Sequence, residues 1–234
     1  MPVDVLLFGA HPDDVEWGAG GIALRLQQRG ISFAIVDLTG GEMGSRGTPA
    51  EREEEARQAA DFLGGVPREN LDMPDCSLVD TPQARQRIAS VIRQYRPVIV
   101  LAPYWKDRHP DHVAAGLTVR NAALSCTLKK SESPFAPHKP RNFLYYLLHH
   151  FGRPSIVVDI SDIYERKIQL LRLHASQFSR TAQEFGVLPQ GSGDYLFGLE
   201  SRDRFFGSLI GARHGEALVS DRPIAIRDKS ILDL

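Results

Sequence analysis

Ala10-His11-Pro12-Asp13-Asp14 follows an apolar run, Val3–Gly9, and precedes the glycine-rich stretch Gly18–Gly21. An apolar run of this length that ends at Pro and Gly is typical of a buried strand, and Ile22–Gln28 before Gly30 is typical of a short helix. One imidazole and two carboxylates therefore lie on a strand-to-helix turn, at the sheet edge where open α/β proteins bind ligands. An ordinary aspartate helix cap and an ordinary His-Pro turn explain the same residues equally well.

A second polar cluster, Asp107-Arg108-His109-Pro110-Asp111-His112, follows another apolar run, Val98–Pro103. Pro110 suits the first position of a helix, so His109 and His112, three residues apart, both turn toward the ends of the strands. The two clusters then face one crevice. Two histidines and one carboxylate leave the open coordination positions of a catalytic zinc site, with a spare carboxylate to act as a base.

Strand and helix signals alternate along the chain. Ser32–Leu38 and Val98–Ala102 are predicted strands, Thr48–Glu51 has the pattern of a capping box that opens a helix, and Pro82–Gln94 is a predicted helix. This alternation predicts an α/β fold for residues 1–234 as a single domain, with a Rossmann-like, mostly parallel, doubly wound sheet and helices on both faces. No Gly-x-Gly-x-x-Gly follows the first strand, which disfavours a dinucleotide site.

Composition limits the classes of function. With 234 residues, of which 42% are hydrophobic, the chain can bury a sizeable core. A net charge of −1 gives no electrostatic reason to expect nucleic acid or an anionic membrane as a partner. The two cysteines, Cys76 and Cys126, lie far apart, as expected in a reducing compartment and not in a disulfide framework or a closed structural zinc site. Without a signal peptide or an apolar span, we predict a cytoplasmic protein.

The two clusters together resemble the LmbE-like, or PIG-L, family of zinc-dependent deacetylases that act on N-acetylglucosaminyl compounds. The resemblance continues through Leu38–Thr48, Ala175–Phe178 and Phe206–Gly207 to Gly215–Glu216, and so covers nearly the whole chain. These stretches are most similar to the branch of bacillithiol biosynthesis that deacetylates N-acetylglucosaminyl L-malate. One departure is that Val15 precedes Glu16, where many members place Glu directly after the paired aspartates.

The resemblance implies specific roles for the motif residues. His11, Asp14 and His112 would bind Zn²⁺, with Fe²⁺ as the other possible metal, although spacing alone does not tell Asp13 from Asp14. Asp13 would be the general base that takes a proton from the zinc-bound water. Protonated His109 would stabilise the oxyanion.

Other residues are candidates for supporting roles. Asp111, between two histidines, is placed to orient an imidazole ring. Arg52 lies in the first turn of a predicted helix, where a cation opposes the helix dipole, so an anionic partner is indicated. Arg52 and Arg108 are therefore candidates for binding an acidic group of the substrate, although a solvated run of charges, Glu53–Glu55, explains Arg52 equally well.

Further substrate-binding candidates are Gln177, by the resemblance, Arg141, at the end of a proline-rich loop, and Tyr195, as a cover of the site's mouth. His149, His150 and His174 are interpreted as ordinary core or surface residues.

Two other classes of function stay open. Two histidines and one carboxylate also describe a non-haem Fe(II) oxygenase, and a pocket retained without catalysis would describe a sugar-binding module. Within the deacetylases, another N-acyl amino sugar is the alternative substrate. The expected partner is a small molecule, with no nucleic acid and no membrane, and the family resemblance implies a homo-oligomer, either a trimer or a hexamer.

Overall fold

The structure, a computed structural model, describes residues 1–178 and 195–224. Seven strands form one sheet in the order β3-β2-β1-β4-β5-β7-β6. The strands are β1 Val5–Gly9, β2 Phe33–Thr39, β3 Arg68–Met73, β4 Ile99–Pro103, β5 Asn142–Tyr146, β6 Ile156–Asp159 and β7 Gly215–Val219. The helices are α1 Asp14–Gln28, α2 Pro49–Phe62, α3 Pro82–Tyr95, α4 Pro110–Ser125, α5 Tyr164–Arg172, α6 Ala175–Phe178 and α7 Tyr195–Ser208.

The sheet is parallel from β3 to β5 and antiparallel where β7 pairs with β5 and β6. This confirms the predicted α/β fold with a mostly parallel sheet. Strand β7, of five residues, is not predicted from the sequence. Its position between β5 and β6 depends on pairing between segments far apart in sequence, which local patterns do not reveal.

Helices cover both faces of the sheet, as predicted. Leu6 and Phe8 of β1 lie in a core with side chains of α3 and α4. Val5 and Leu7 lie in a second core with side chains of α1, α2 and α5. Because successive side chains of a strand point to opposite faces, the single apolar run of β1 supplies both cores.

Helix α1 begins at Asp14, before the predicted start at Ile22. Its backbone is not helical at Ala19, so the predicted segment is only the second half of the helix. The glycines before it belong to a packed helix and not to a loop, because a Cβ at Gly18 would lie 2.3 Å from the ring of Tyr146. The break leaves backbone N–H groups without a partner in the helix. The carboxylate of Glu216 accepts hydrogen bonds from two of them, the N–H of Gly21 at 2.8 Å and that of Ile22 at 2.7 Å.

The order of the strands positions the functional site. Strand β1 pairs with β2 on one side and with β4 on the other. The helices that follow β1 and precede β4 pack on opposite faces, so the carboxyl ends of β1 and β4 form the crevice of a topological switch point. Within the described ranges, no helix has both the length and the apolarity that crossing a bilayer requires.

Candidate metal-binding active site

A cavity of about 400 Å³ opens at the carboxyl ends of the central strands. The predicted site residues that line it are His11, Asp13, Asp14, Arg52, Arg108, His109, His112 and Gln177. It also contains Trp17, Met43, Gly44, Ser45, Arg46, Asp75, Cys76, Leu148, His149 and Phe178. The fold thus joins the two motifs that lie about a hundred residues apart in the sequence.

Asp14 is fixed between two histidines. Its Oδ2 accepts the backbone N–H groups of Ala10 at 2.8 Å and His11 at 3.0 Å, which closes the turn after β1. Its Oδ1 lies 3.1 Å from His112 Nε2, and its Oδ2 lies 3.6 Å from His11 Nδ1. The carboxylate of Asp14 thus lies within 3.6 Å of one nitrogen of each ring.

The other ring nitrogens of these histidines face carboxylates. His11 Nε2 lies 3.0 Å from Asp75 Oδ1 and 3.5 Å from Asp111 Oδ2. His112 Nδ1 lies 3.0 Å from Asp107 Oδ1. Histidines that bind a metal usually give their second ring nitrogen to a carboxylate or carbonyl, which fixes the tautomer and the ring orientation. The arrangement of both rings fits a metal held on the Asp14 side.

The electrostatics of the cluster favour a cation. Burial lowers the pKa of His11, but hydrogen bonds to Asp111, Asp14 and Asp75 more than offset this and raise the pKa to about 12. For His112, burial is likewise outweighed by the charge of Asp14 and the hydrogen bond to Asp107, and the pKa rises to about 9. Imidazole and carboxylate donors suit Zn²⁺ or Fe²⁺, so the residues present fit a divalent metal.

Potential ligand atoms also cluster around this point in other combinations. Among the described residues, His11, His109 and His112 form a group whose ligand atoms all lie within 4.8 Å of one another. The same criterion joins His11 to Asp75 and Asp111. Each of these two groups thus contains a histidine of the predicted ligand set.

Asp13 is held in a strained backbone conformation. Its φ of 112° lies in the left-handed region, and its side chain makes no hydrogen bond of a helix cap. The interpretation of Asp13 as an ordinary cap is therefore wrong. Burial raises the pKa of its carboxyl group to about 6, although the charge of Arg52 acts in the opposite direction. Strain of this kind persists where the surrounding structure holds a side chain in a functional position.

Arg52 joins two loops beneath the cavity. Its Nη1 donates to the carbonyl oxygen of Gly41 at 2.9 Å and its Nη2 to that of Pro12 at 2.8 Å. Gly41 has a φ of 66°, and a Cβ there would lie 1.7 Å from Arg52 Nη1. Both terminal nitrogens of this buried guanidinium therefore have backbone partners, and its contact with an anionic group of the substrate stays a prediction.

His109 precedes the first residue of α4, and its Nδ1 accepts the backbone N–H of Asp111 at 3.2 Å. The proton of the neutral ring is therefore on Nε2. Burial, together with the charges of His112 and His11, lowers the pKa of His109. These observations favour a neutral imidazole that donates through Nε2 over the protonated ring that the resemblance implied.

Gln177 lies in α6 and holds a loop in place. Its Nε2 donates to the carbonyl oxygen of Arg46 at 3.0 Å, and Arg46 Nη1 donates to the carbonyl oxygen of Gln177 at 3.0 Å. The neighbouring Ser176 binds Glu55 of α2 through its backbone N–H and its hydroxyl group. The loop after β2 and helix α6 thus form one fixed wall of the cavity.

Of two further substrate-binding predictions, one is contradicted by the structure and the other falls outside the described side chains. Arg141 lies at the opposite edge of the sheet, because its N–H donates to the carbonyl oxygen of Val98, just before β4 begins. The prediction that it contacts a ligand of this cavity is wrong. The side chain of Tyr195, the first residue of α7, lies outside the described part of the chain.

Three residues that contact the histidines of the site were given no role from the sequence. Asp75 follows β3, His149 follows β5, and Asp107 belongs to the second motif but received no role. The interpretation of His149 as an ordinary histidine is wrong, whereas His174 is fully buried outside the lining of the cavity. A carboxylate or imidazole directly after a predicted strand was the available signal.

The fold and the site define a class: an α/β protein with a candidate metal site of imidazole and carboxylate donors at its switch point. Residues 6–123 match the sequence profile of the PIG-L family, described as GlcNAc-PI de-N-acetylase. The chain belongs to this family and is thus an enzyme of the deacetylase type, as the resemblance of the two motifs predicted.

The chain is similar to several known proteins. It is 34% identical over 229 residues to the diacetylchitobiose deacetylase of Thermococcus kodakarensis, in a match that covers 92% of this chain and 81% of that protein. It is 29% identical over 193 residues to a probable N-acetyl-alpha-D-glucosaminyl L-malate deacetylase 2 of Bacillus anthracis, covering 77% of this chain and 84% of that one. The crystal structure of a conserved protein from Thermus thermophilus, TT1542, superposes with a TM-score of 0.84 at 36% identity, over 96% of this chain and 97% of that one.

Proposed function

We propose that this chain hydrolyses the acetamido group of an N-acetylglucosaminyl conjugate and releases acetate and the free amine. The observation that carries the proposal is the different placement of two adjacent carboxylates. Asp14 lies between His11 and His112, while Asp13 lines the cavity in a strained conformation without a cap hydrogen bond. A site that only bound sugar would have no need for the second carboxylate.

His11, Asp14 and His112 are the proposed metal ligands, for Zn²⁺ or Fe²⁺. A divalent metal bound there would polarise the amide carbonyl and lower the pKa of the attacking water. The carboxylates of Asp75, Asp111 and Asp107 support this assignment, since they hold the outer nitrogens of both rings.

Asp13 is the proposed general base. Its carboxylate takes a proton from the water that adds to the carbonyl carbon, and it returns the proton to the amide nitrogen as the C–N bond breaks. A pKa raised to about 6 by burial suits both transfers near neutral pH. The Nε2–H of His109 donates to the carbonyl oxygen as negative charge develops there.

Two substrates are candidates. The sequence resemblance favours N-acetylglucosaminyl L-malate and hence bacillithiol biosynthesis, whereas the Thermococcus relative, which has the higher identity, is named for diacetylchitobiose. The exposed Arg108 at the rim of the cavity suits the carboxylates of malate. A neutral disaccharide has no need of this cation.

The test is acetate release by the metal-loaded protein from N-acetylglucosaminyl L-malate, from diacetylchitobiose and from free N-acetylglucosamine. We expect release from at least one conjugate, and a fall of about 10²- to 10⁴-fold in kcat for Asp13→Asn at unchanged metal content. The control variant is Asp80→Asn, because Asp80 pairs with Arg85 outside the cavity. The variant Arg108→Gln should raise KM for the malate conjugate alone.

The other outcomes identify the alternatives. Failure of the metal-loaded protein to release acetate from any conjugate would reject the proposal. Binding of a conjugate without release would favour a sugar-binding module, and turnover that requires Fe²⁺ together with oxygen would favour an oxygenase. Full activity of Asp13→Asn would leave a deacetylase but overturn the role of Asp13.

A further inference from the structure

His149 is a cavity residue that the proposed chemistry does not use. It follows β5, and its side chain is 25% exposed to solvent. Its ring stacks on that of His112 with centroids 5.3 Å apart and an interplanar angle of 4°. The ring of Trp17 lies 6.2 Å from it on the same wall of the cavity.

Asp107 fixes His149 and His112 together. Its Oδ1 lies 3.0 Å from the Nδ1 of each ring, and its Oδ2 accepts the backbone N–H of His149 at 2.9 Å. His149 Nδ1 faces a carboxylate oxygen at hydrogen-bond distance, so in the neutral ring the proton lies on Nδ1 and is donated to Asp107.

The tautomer determines what His149 offers to a ligand. With its proton on Nδ1, the neutral ring presents Nε2 as a hydrogen-bond acceptor. Over residues 1–178 and 195–224, no side chain or backbone group forms a hydrogen bond with this nitrogen. The neighbouring cavity residues Trp17, Leu148 and Phe178 are largely apolar, so among the described residues Nε2 is left open to a donor from a ligand.

The position of His149 indicates which part of a substrate it faces. The rings of His11, His109 and His112 lie within 5.4 Å of one another around the proposed ligand set. His149 lies beyond His112, and Trp17 and Phe178 continue the same wall with stacked rings 5.5 Å apart. His149, Trp17 and Phe178 thus form a cavity wall next to the ligand set, along which the sugar ring of a substrate with its acetamido group at the ligand set can lie.

We propose that Nε2 of His149 accepts a hydrogen bond from a hydroxyl group of the substrate's amino-sugar ring and thereby selects substrates that carry this hydroxyl. The inference rests on the proposed function and specifies its substrate recognition. A site that accepts a hydroxyl hydrogen discriminates against an analogue without it, because an acceptor covered by the bound substrate is then left unpaired.

The decisive variant is His149→Asn. The asparagine Nδ2 can still donate to Asp107, which preserves the support of His112, while the acceptor Nε2 is lost. The matched control is His150→Asn at the next position, where the ring is exposed and stacks on Tyr104 outside the cavity lining. Metal content and thermal unfolding of both variants are measured first, and both should match the parent protein.

We expect His149→Asn to lower kcat/KM roughly 10- to 100-fold, mainly through KM, because the hydroxyl does not react. Substrates that lack one ring hydroxyl in turn supply the second arm. With the parent protein, kcat/KM for one of these deoxy substrates should fall by the same factor. With His149→Asn, removal of that hydroxyl should lower kcat/KM little further, which shows that the ring and the hydroxyl interact. His150→Asn should show no such coupling.

Two results would overturn the inference. One is a His149→Asn variant whose kinetics match those of His150→Asn. The other is that removal of each ring hydroxyl lowers kcat/KM by the same factor in the parent protein and in His149→Asn. If the parent protein deacetylates none of the sugars, the proposed function fails. The same comparison is then made by titration calorimetry, with N-acetylglucosamine and its deoxy analogues as ligands. An absence of coupling in Kd between His149 and every ring hydroxyl would reject the role of His149.

Discussion

Arg52 Nη2 lies 3.6 Å from Asp13 Oδ1 and donates to the carbonyl oxygen of Pro12, the residue just before it. Its other terminal nitrogen binds the carbonyl oxygen of Gly41, in the loop after β2. One buried guanidinium thus holds the turn that carries the proposed general base and the loop that forms the neighbouring wall. Its charge also limits how far burial raises the pKa of Asp13.

The variant Arg52→Lys should lose activity equally on charged and uncharged substrates. A single ammonium cannot replace the fork that binds two carbonyl oxygens, and a small misplacement of Asp13 costs on the order of 10²-fold in rate. The measurement is kcat/KM on the malate conjugate and on diacetylchitobiose, with the exposed Arg57→Lys on the same helix as the control. A loss confined to the malate conjugate would instead make Arg52 an anion-binding residue.

The carboxylate of Asp107 should affect metal affinity. Because it orients His112 through Nδ1, Asp107→Asn should weaken metal binding about 10- to 100-fold. Competition with a chromophoric chelator measures this, with Asp80→Asn as the control for a carboxylate outside the cavity. An unchanged dissociation constant would show that Asp107 does not support the metal site.

The sequence predicted the part of the site that is contiguous along the chain. His11, Asp13 and Asp14 lie on one turn, and His109 and His112 lie on another, so each group is visible as a motif. Joining the two groups required only the rule that parallel strands present their carboxyl ends at one edge.

The missed residues depend on the order of the strands in the sheet. Asp75 and His149 each follow a different strand, and only the pairing of β3 with β2 and of β5 with β4 brings them to the site. Arg141 was misplaced for a different reason, since it directly precedes β5 and the amino end of a parallel strand lies at the other edge of the sheet. Local patterns carry no information on such pairings.

The strain at Asp13 should be measurable as lost stability. At a φ of 112°, glycine avoids the clash that any Cβ makes, so Asp13→Gly should be more stable than Asp13→Ala by about 1 kcal/mol. Both variants lack the carboxylate and the contact with Arg52, so their difference isolates the backbone term. Urea denaturation at neutral pH gives the free energies, and both variants should be inactive. Equal stabilities would show that the turn relaxes and that no strain is stored there.

A buried ion network behind α1 should be sensitive to single substitutions. Lys167 Nζ lies 2.5 Å from Asp203 and 2.7 Å from Glu216, and all three side chains are fully buried. Lys167→Met leaves the buried Glu216 without its cation, whereas Asp203 keeps Arg202, so the free energy of unfolding should fall by roughly 3–5 kcal/mol. The exposed pair of Arg204 with Glu200 provides the comparison, since Arg204→Met should cost less than about 1 kcal/mol. Equal costs for the two variants would contradict this account of the network.

His214 should make stability fall in mildly acidic solution. Its ring stacks on Tyr164 with centroids 3.8 Å apart, and none of the described residues forms a hydrogen bond with either ring nitrogen. Burial, with a smaller effect of the charge of Arg204, lowers its pKa below the usual histidine value of 6.5. The unfolded chain therefore binds this proton more readily than the folded one. Its contribution to stability is complete above the unfolded pKa and is lost as the pH falls below about 6.5 toward the lower folded value.

The variant His214→Phe keeps a stacked ring and removes the titrating group, so its stability should depend less on pH between about 6.5 and 5 than that of the parent. The measurement is the difference in the free energy of unfolding between the two proteins across this range, which cancels the titration of the histidines at the metal site. If the free energy of unfolding of both proteins fell in parallel with decreasing pH, the ring of His214 would take up a proton as easily in the folded chain as in the unfolded one.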